Sequence, residues 1–247
     1  MYQEIKHFFL KLIPRKVLFR YEYPFRYLYY LLYIGNGFKC NICHKTISSF
    51  VKINNDNRLC PRCGSFQRVR RLWQILNDYE LLKDNYKILD FSPSRSIYRV
   101  MKKGNYSYLS SDLSGDFLSD ISYDIQHIGS VNECFDLIIC YHILEHIDDD
   151  IMAMKELWRV LKKDRHCLIQ TPFKSGDIFE DDTIKTPEKR EQFFGQSDHV
   201  RIYSINGLRN RLEDVGFKVE TKNFTEKFDN VHGFSENETV LICYKPK

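Results

Sequence analysis

Eight cysteines stand in the chain, and four of them, Cys40, Cys43, Cys60 and Cys63, share the spacing C-x2-C-x16-C-x2-C. A tight turn in each C-x2-C aims two sulfurs at one point, and two such turns offer four thiolates to one tetrahedral ion, for which zinc is the natural fit. With cysteine in every position no place remains for a water, so the expected role is structural, with His44 a neighbour rather than a ligand. "CPRCG" supplies a Pro and a Gly suited to such a turn, and "HKTISSFVKINNDNRL" alternates enough to form a hairpin turning at 54–57. The expected product is a zinc ribbon. The competing reading is four buried thiols or two disulfides, the latter uncommon in a cytoplasmic chain. Cys134, Cys140, Cys167 and Cys243 lack such pairing and read as small core residues.

A second constellation is made of carboxylates. Asp90 ends "YKILDF", Asp112 ends "YSYLSSD", and Asp124 sits in "YDIQHI". If these runs are neighbouring parallel strands, the acids gather beyond the strand carboxyl ends, where open α/β sheets bind ligands. There Asp112 can accept both ribose hydroxyls of an adenosyl ligand, Asp124 can accept from the adenine amino group, and Asp90 can hold an ammonium. Phe91, Ser92, Pro93, Leu113, Ile125 and Tyr141 flank these acids and complete the candidate ligand-binding set. The turn "DFSPSRS" after the first strand has no glycine. A pyrophosphate needs glycines there so that backbone amides can approach it, which argues against a nicotinamide dinucleotide. A ligand without phosphate makes no such demand, and Ser92 and Ser94 are small.

The third constellation is "HILEH", with His142, Glu145 and His146, joined by His199 in "SDHVRIY". Any of the four is a candidate catalytic base toward a hydroxyl, with Asp198 or a neighbour expected to orient the His199 ring. In a helix the first three share a face and with His199 have the composition of a divalent-metal site, although nitrogen donors suit magnesium poorly. The plainer alternative is that Glu145 and His146 line the pocket or cap the next helix.

These residues need a scaffold that converges them. Short β-rich runs recur at 86–91, 106–112, 135–141, 166–172, 217–222 and 239–244, with helical stretches between the first four, as in a mostly parallel sheet with helices on both faces. Ile151, Met154, Leu157, Trp158 and Leu161 mark a helix over 150–162, with Asp148 to Asp150 at its positive end and Lys162 and Lys163 at its negative end. The polar connection 173–203 is long enough for a lid, and Thr186-Pro187 opens a short helix, "PEKREQFF", within it. Glu180, Asp181 and Asp182 in it are either contacts for a polar acceptor or solvated surface.

The run "CYHILEHIDDDIMAMKELWRVLKKDRHCLIQTP" resembles the fourth-to-fifth-strand region of class I S-adenosylmethionine-dependent methyltransferases of the type 11 group, the likeness extending over about 86–244. The ribbon followed by "CPRCGSFQRVRRLW" is similar to a subgroup with a cysteine-rich N-terminal module. The resemblance implies a Rossmann-like, seven-stranded methyltransferase sheet, S-adenosyl-L-methionine as methyl donor beside structural zinc, and a small-molecule or glycan acceptor. Two other functions fit the same residues: an RNA methyltransferase whose ribbon and "RCGSFQRVRR" grip phosphates, and a non-catalytic binding protein on the same fold.

Charge divides the chain. Residues 1–83 hold 15 Lys/Arg against 5 Asp/Glu, and 84–247 hold 22 against 28. The basic part favours anionic surfaces, phospholipid or nucleic acid. Arg68, Arg70 and Arg71 open a helix there, either as phosphate contacts or as its solvated face. Residues 1–39 mix 12 aromatic residues with 7 Lys/Arg, the composition of a membrane-surface helix, a base-stacking platform or a helix docked on the main domain. "YLYYLLYIGNGF" at 27–38 is too short to span a bilayer, and no secretory signal is evident, so the expected location is cytoplasmic, with peripheral contact to an anionic membrane through 1–39. The expected organisation is a basic aromatic segment (1–39), the ribbon (40–66), a linking helix (67–83) and a large domain (84–247).

Overall fold

The computed structural model describes residues 15–53, 57–226 and 229–247. The chain forms two compact units, one comprising residues up to Tyr79 with Ser94–Met101 and Glu226–Glu236, the other Glu80–Pro93, Lys102–Thr225 and Asn237–Lys247.

In the first unit, α1 (Arg15–Leu31) carries Pro24 inside it. Glu22 on this helix accepts from Arg26 at 2.7 Å and from Arg99 at 2.9 Å. Arg99 lies 4.2 Å from the Phe19 ring centroid, and Tyr30 is buried. Tyr21, Phe25, Leu28 and Leu32, at helical spacing, stay exposed. Two small antiparallel pairs follow: β1 (Phe38–Lys39) with β2 (Thr46–Ile47), and β3 (Val51–Lys52) with β4 (Arg58–Leu59). The second pair is the expected hairpin, and 54–56 of its turn lie outside the described residues; the first pair has no counterpart among the expected strands.

Helix α2 (Gln67–Asp78) buries Val69, Leu72, Ile75 and Leu76, and with them Arg70 and Arg71. A buried guanidinium is tolerated only when its N–H groups are satisfied. Arg70 donates to the carbonyls of Ser65 (2.6 Å), His232 (2.7 Å) and Gly233 (2.6 Å) and stacks 4.0 Å from the Phe50 centroid. Arg71 donates to Gln74 and Glu226 and stacks 3.8 Å from Phe234. Neither is the solvated face or the phosphate contact expected of it, because both are consumed in holding the 226–236 segment; Arg68 alone of the three is exposed.

The second unit is built on a six-stranded sheet. In chain order its elements are β5 (Lys87–Phe91), β6 (Ser107–Ser111), β7 (Phe135–Tyr141), α4 (Asp150–Val160), β8 (Leu161–Gln170), β9 (Phe179–Glu180), α5 (Pro187–Phe194), β10 (Arg201–Ile202), α6 (Ile205–Val215), β11 (Lys218–Thr225) and β12 (Asn237–Lys245). Helix α3 (Arg95–Met101) follows β5 in sequence but groups with the first unit. The strand order is β11-β12-β8-β7-β5-β6, parallel from β8 to β6, with β12 antiparallel to β8 and to β11. Leu89, Phe91, Ile138, Cys140, Cys167, Ile169, Leu241 and Cys243 pack against Ala153, Met154 and Leu157 of α4 and Leu208 and Leu212 of α6. Ile88, Leu137, Ile139, Leu168 and Ile242 alternate with them and are also buried. Strands covered on both faces read as unbroken apolar runs, which is why the sequence reveals them.

Three expectations are corrected. The sheet has six strands rather than seven among the described residues: beside β6 the chain makes a single parallel bridge, Ser111 to Ile121, with Asp120 N and Ile121 N donating to Ser110 O at 3.0 and 3.2 Å and the Asp120 carboxylate accepting from Ser110 N and Oγ, both at 2.9 Å. Helix α4 ends at Val160 and β8 begins at once, so Lys162 pairs with Asp136 at 2.8 Å rather than capping the helix. Cys134 lies at the margin of the core rather than inside it; it is half-buried, packs against the core and accepts from Lys87 Nζ at 3.1 Å. The N-terminus of α4 is as expected, with Asp149 accepting from Met152 N. Among the described residues no helix is long and apolar enough to cross a membrane.

Candidate functional site

In the first unit, one sulfur from each of Cys40, Cys43, Cys60 and Cys63 lies within 4.8 Å of the others. Two turns of the same design present them. His44 N donates to Cys40 O and Gly64 N to Cys60 O, each at 2.9 Å; Cys40 N donates to Lys45 O at 3.0 Å and Cys60 N to Ser65 O at 2.9 Å. Each turn closes through a left-handed residue, His44 with φ of 58° and Gly64 with φ of 76°. Exposed and turned this way, His44 is a hinge of the first turn. The Sγ–Sγ separations are 3.7 Å for Cys40–Cys63 and 3.8 Å for Cys43–Cys60, far beyond the ~2.05 Å of a disulfide.

In the second unit, the parallel strands β5, β6 and β7 deliver the other candidate residues at their carboxyl ends. Asp90, on β5, is 2 % exposed and accepts from Tyr108 Oη at 2.8 Å. Its burial, only partly offset by that hydrogen bond, pushes its carboxyl up to about 7. Ser92 closes the glycine-free turn in the left-handed region, φ 47°, its N–H bonded to Ser111 O at 2.8 Å. Serine thus takes the conformation that a glycine would adopt without strain. Asp112 follows β6, 4 % exposed, and accepts from Ser92 Oγ (2.8 Å), Ser114 Oγ (3.1 Å) and Phe117 N (3.2 Å). Asp124 is half-buried and forms a local turn, accepting from Gln126 N at 2.9 Å. Pro93 is buried, Leu113 is exposed and Tyr141 is half-buried. Phe91 and Ile125 are buried in the hydrophobic core, so toward a ligand they offer backbone rather than side chain.

The histidine constellation lies just beyond β7. His142 does not belong to a helix; its φ is 56°, its N–H donates to Gln170 O at 2.8 Å, and only Leu144–His146 form a short 3₁₀ turn. Its Nδ1 still meets Glu145 Oε1 at 3.2 Å. The structure brings His146 and His199 together from 53 residues apart in sequence, rings edge to face with centroids 4.6 Å apart. Burial pushes Glu145 up, but the His142 hydrogen bond and the nearby imidazoles hold it below the ordinary carboxylate value. Burial, then the His146 ring, depress the basicity of His199, which keeps it neutral and able to accept a proton near neutral pH.

The sequence does not single out the residues that fix this loop. Arg201, 6 % exposed, donates to the carbonyls of Leu144, Ile147 and Asp148 and to Glu180. Tyr203 donates to Asp150, and Val200 N donates to Glu145 O at 2.9 Å. Glu180 therefore pairs with Arg201 and Arg211 instead of facing an acceptor, while Asp181 accepts locally from Thr183. Helix α5 is capped as the sequence implies, by Thr186 accepting from Lys189 N, with Pro187 in its first turn.

Comparison with known proteins agrees with this architecture. The chain superposes on S-adenosyl-L-methionine-bound phosphoethanolamine N-methyltransferase 2 of Haemonchus contortus with a TM-score of 0.53 and 13% identity, over 72% of this chain and 52% of that one. A SAM-dependent methyltransferase from Archaeoglobus fulgidus matches with a TM-score of 0.52 and 15% identity, over 74% and 95%. The [4+2]-cyclase SpnF matches with a TM-score of 0.51 and 12% identity, over 74% and 84%. The match thus spans about half the length of the Haemonchus enzyme, and at these identities the likeness is one of fold. No curated protein matches the sequence. Residues 65–222 match the family model described as "Methyltransferase domain", and with its six-stranded class I sheet the chain belongs to that methyltransferase family.

Proposed function

We propose that the protein is an S-adenosylmethionine-dependent methyltransferase acting on a hydroxyl of a small or glycan acceptor. One observation carries the reading: Asp90 and Asp112 stand at the carboxyl ends of adjacent parallel strands, and a buried Glu–His cluster follows the next strand. Asp90 suits the donor's ammonium, since it is a buried acid that accepts from a neutral phenol, Tyr108. Asp112 suits the ribose, since the two hydroxyls it already accepts, Ser92 and Ser114, are groups that ribose hydroxyls replace like for like. Asp124, Ile125, Tyr141, Leu113 and the Phe91–Pro93 turn complete the donor site. Bound there, the donor supplies an activated methyl carbon; the chain's own task is to align the acceptor and exclude water. His142, Glu145, His146 and His199 are the candidates to receive the acceptor proton, directly or through a group they hold, and the 173–203 insert serves as the lid.

We further propose that the four cysteines hold structural zinc, the ribbon of the type 11 subgroup. A tetrahedron with zinc–sulfur bonds of ~2.3 Å has edges of about 3.8 Å, which the 3.7 and 3.8 Å sulfur separations match. An RNA acceptor is less well supported, because Arg70 and Arg71 are spent on carbonyls and Glu226. Titration calorimetry with S-adenosylhomocysteine, then radiolabelled methyl transfer to cell extracts fractionated into glycan, lipid, protein and RNA, tests the proposal. Micromolar binding and label in the glycan or small-molecule fraction support it. Label in RNA overturns the acceptor class, and absence of binding leaves a non-catalytic fold.

A further inference from the structure

Glu145, His146 and His199 each bring one ligand-type atom within 4.8 Å of the other two, and their surroundings show which atoms are left to offer. Glu145 and His199 are 1 % and 4 % exposed, yet Glu145 Oε2 and His199 Nε2 have no hydrogen-bond partner among the described residues. An unpaired buried carboxylate oxygen is strongly unfavourable, so it points to a missing cation or donor. The other oxygen, Oε1, is occupied by His142 Nδ1. Both rings have their Nδ1 engaged: that of His146 lies 3.1 Å from Asp198 Oδ2, and that of His199 lies 3.3 Å from the Phe194 carbonyl. A carboxylate or carbonyl on one ring nitrogen is the usual support of a metal-ligating histidine, since it fixes the tautomer and leaves Nε2 as the lone-pair donor.

We propose that Glu145, His146 and His199 bind a divalent first-row transition ion through one carboxylate oxygen and two imidazole nitrogens. Two nitrogens favour manganese, iron, cobalt or zinc over magnesium and calcium. His142 and Asp198 position the ligands without joining them. Three protein ligands leave coordination positions open, as in catalytic rather than structural sites. An acceptor hydroxyl taking one would lose its proton more readily; that last step alone rests on the methyl-transfer reading.

The cysteine cluster takes ions of the same class, so the probe must tell the two apart, and manganese does so because it disfavours thiolate. Full-length protein is stripped of loosely held metal with EDTA and titrated with Mn2+, the free ion being followed by electron paramagnetic resonance. One ion is expected to bind per chain. Affinity should fall at least ~10-fold in Glu145→Gln and His199→Gln, and about 10-fold in Asp198→Asn, whose carboxylate only supports a ligand. His146→Gln, at a partly exposed ring, serves if the buried variants fail to fold by circular dichroism. No saturable uptake by the folded wild type, or uptake unchanged in all four variants, overturns the proposal. Calorimetry with S-adenosylhomocysteine on the same EDTA-treated protein separates the two readings: donor binding without manganese uptake sinks the metal site alone, and uptake without donor binding sinks the methyltransferase reading alone.

Discussion

Replacing Asp90 by asparagine tests the physics of the strand-end site most directly. In the folded chain this carboxyl titrates near 7, against an ordinary value of 3.8. At ~1.4 kcal/mol per pH unit that difference corresponds to about 4 kcal/mol. The sign follows from proton counting. Between about pH 4 and 7 the unfolded chain has released this proton while the folded chain retains it, so stability is greatest below pH 4, declines by ~1.4 kcal/mol per pH unit across the window, and levels off above 7. The Asp90→Asn side chain keeps an oxygen for the Tyr108 hydroxyl but has no proton to lose. Urea unfolding of both proteins at half-unit steps from pH 4.5 to 8.5, followed by circular dichroism, isolates the effect, because every other titrating group cancels in the difference. The variant should gain on the wild type by about 3 kcal/mol over that range, reaching its largest advantage above pH 7. A difference that stays flat refutes a neutral buried Asp90. The same reasoning requires that S-adenosylhomocysteine, bringing an ammonium to this carboxyl, expel close to one proton when it binds at pH 6 and almost none at pH 8.5, which calorimetry in buffers of unlike ionisation enthalpy detects.

Asp112→Asn should weaken S-adenosylhomocysteine binding by less than ~10-fold, since the charge-assisted bonds to ribose and those to Ser92 and Ser114 that they replace become neutral together. Arg70→Met should destabilise the first unit by about 3 kcal/mol in urea titrations, because the carbonyls of His232 and Gly233 lose their donor, while that of Ser65 keeps Cys60 N. His44→Gly relieves a left-handed non-glycine residue and should raise stability by ~0.5–1 kcal/mol, whereas Gly64→Ala at φ 76°, with a Cβ 2.9 Å from Arg26, should lower it; thermal melts of the metal-loaded protein decide. Arg201→Gln should reduce methyl transfer through kcat more than through donor affinity, since it anchors the 144–148 loop and not the donor acids.

The parts legible in the sequence are those with a local chemical signature. Both C-x2-C turns repeat within a few residues, and β5, β7 and β8 announce themselves as apolar runs because both faces are covered. The parts missed depend on partners that leave no trace in sequence. Arg70 and Arg201 are held by backbone carbonyls, and a carbonyl belongs to every residue, so nothing in "RVRR" or "HVRIY" distinguishes a buried guanidinium from a solvated one. The seventh strand shrinks to one bridge for a related reason: the Asp120 carboxylate takes Ser110 N beside the few backbone bonds there, which hydrophobic alternation does not register. The histidine cluster was half visible, since "HILEH" is contiguous, but the backbone reversal at His142 and the arrival of His199 beside His146 are products of the fold.

Asp112 already accepts from the protein's own hydroxyls, Ser92 and Ser114, and from Phe117 N. A visiting sugar there gains only the margin by which its own hydroxyls outdo those of the two serines. An analogue stripped of one hydroxyl would leave a serine in place at little penalty, so the enzyme should discriminate poorly between ribosyl and deoxyribosyl donors and draw its selectivity from the charged end of the molecule instead.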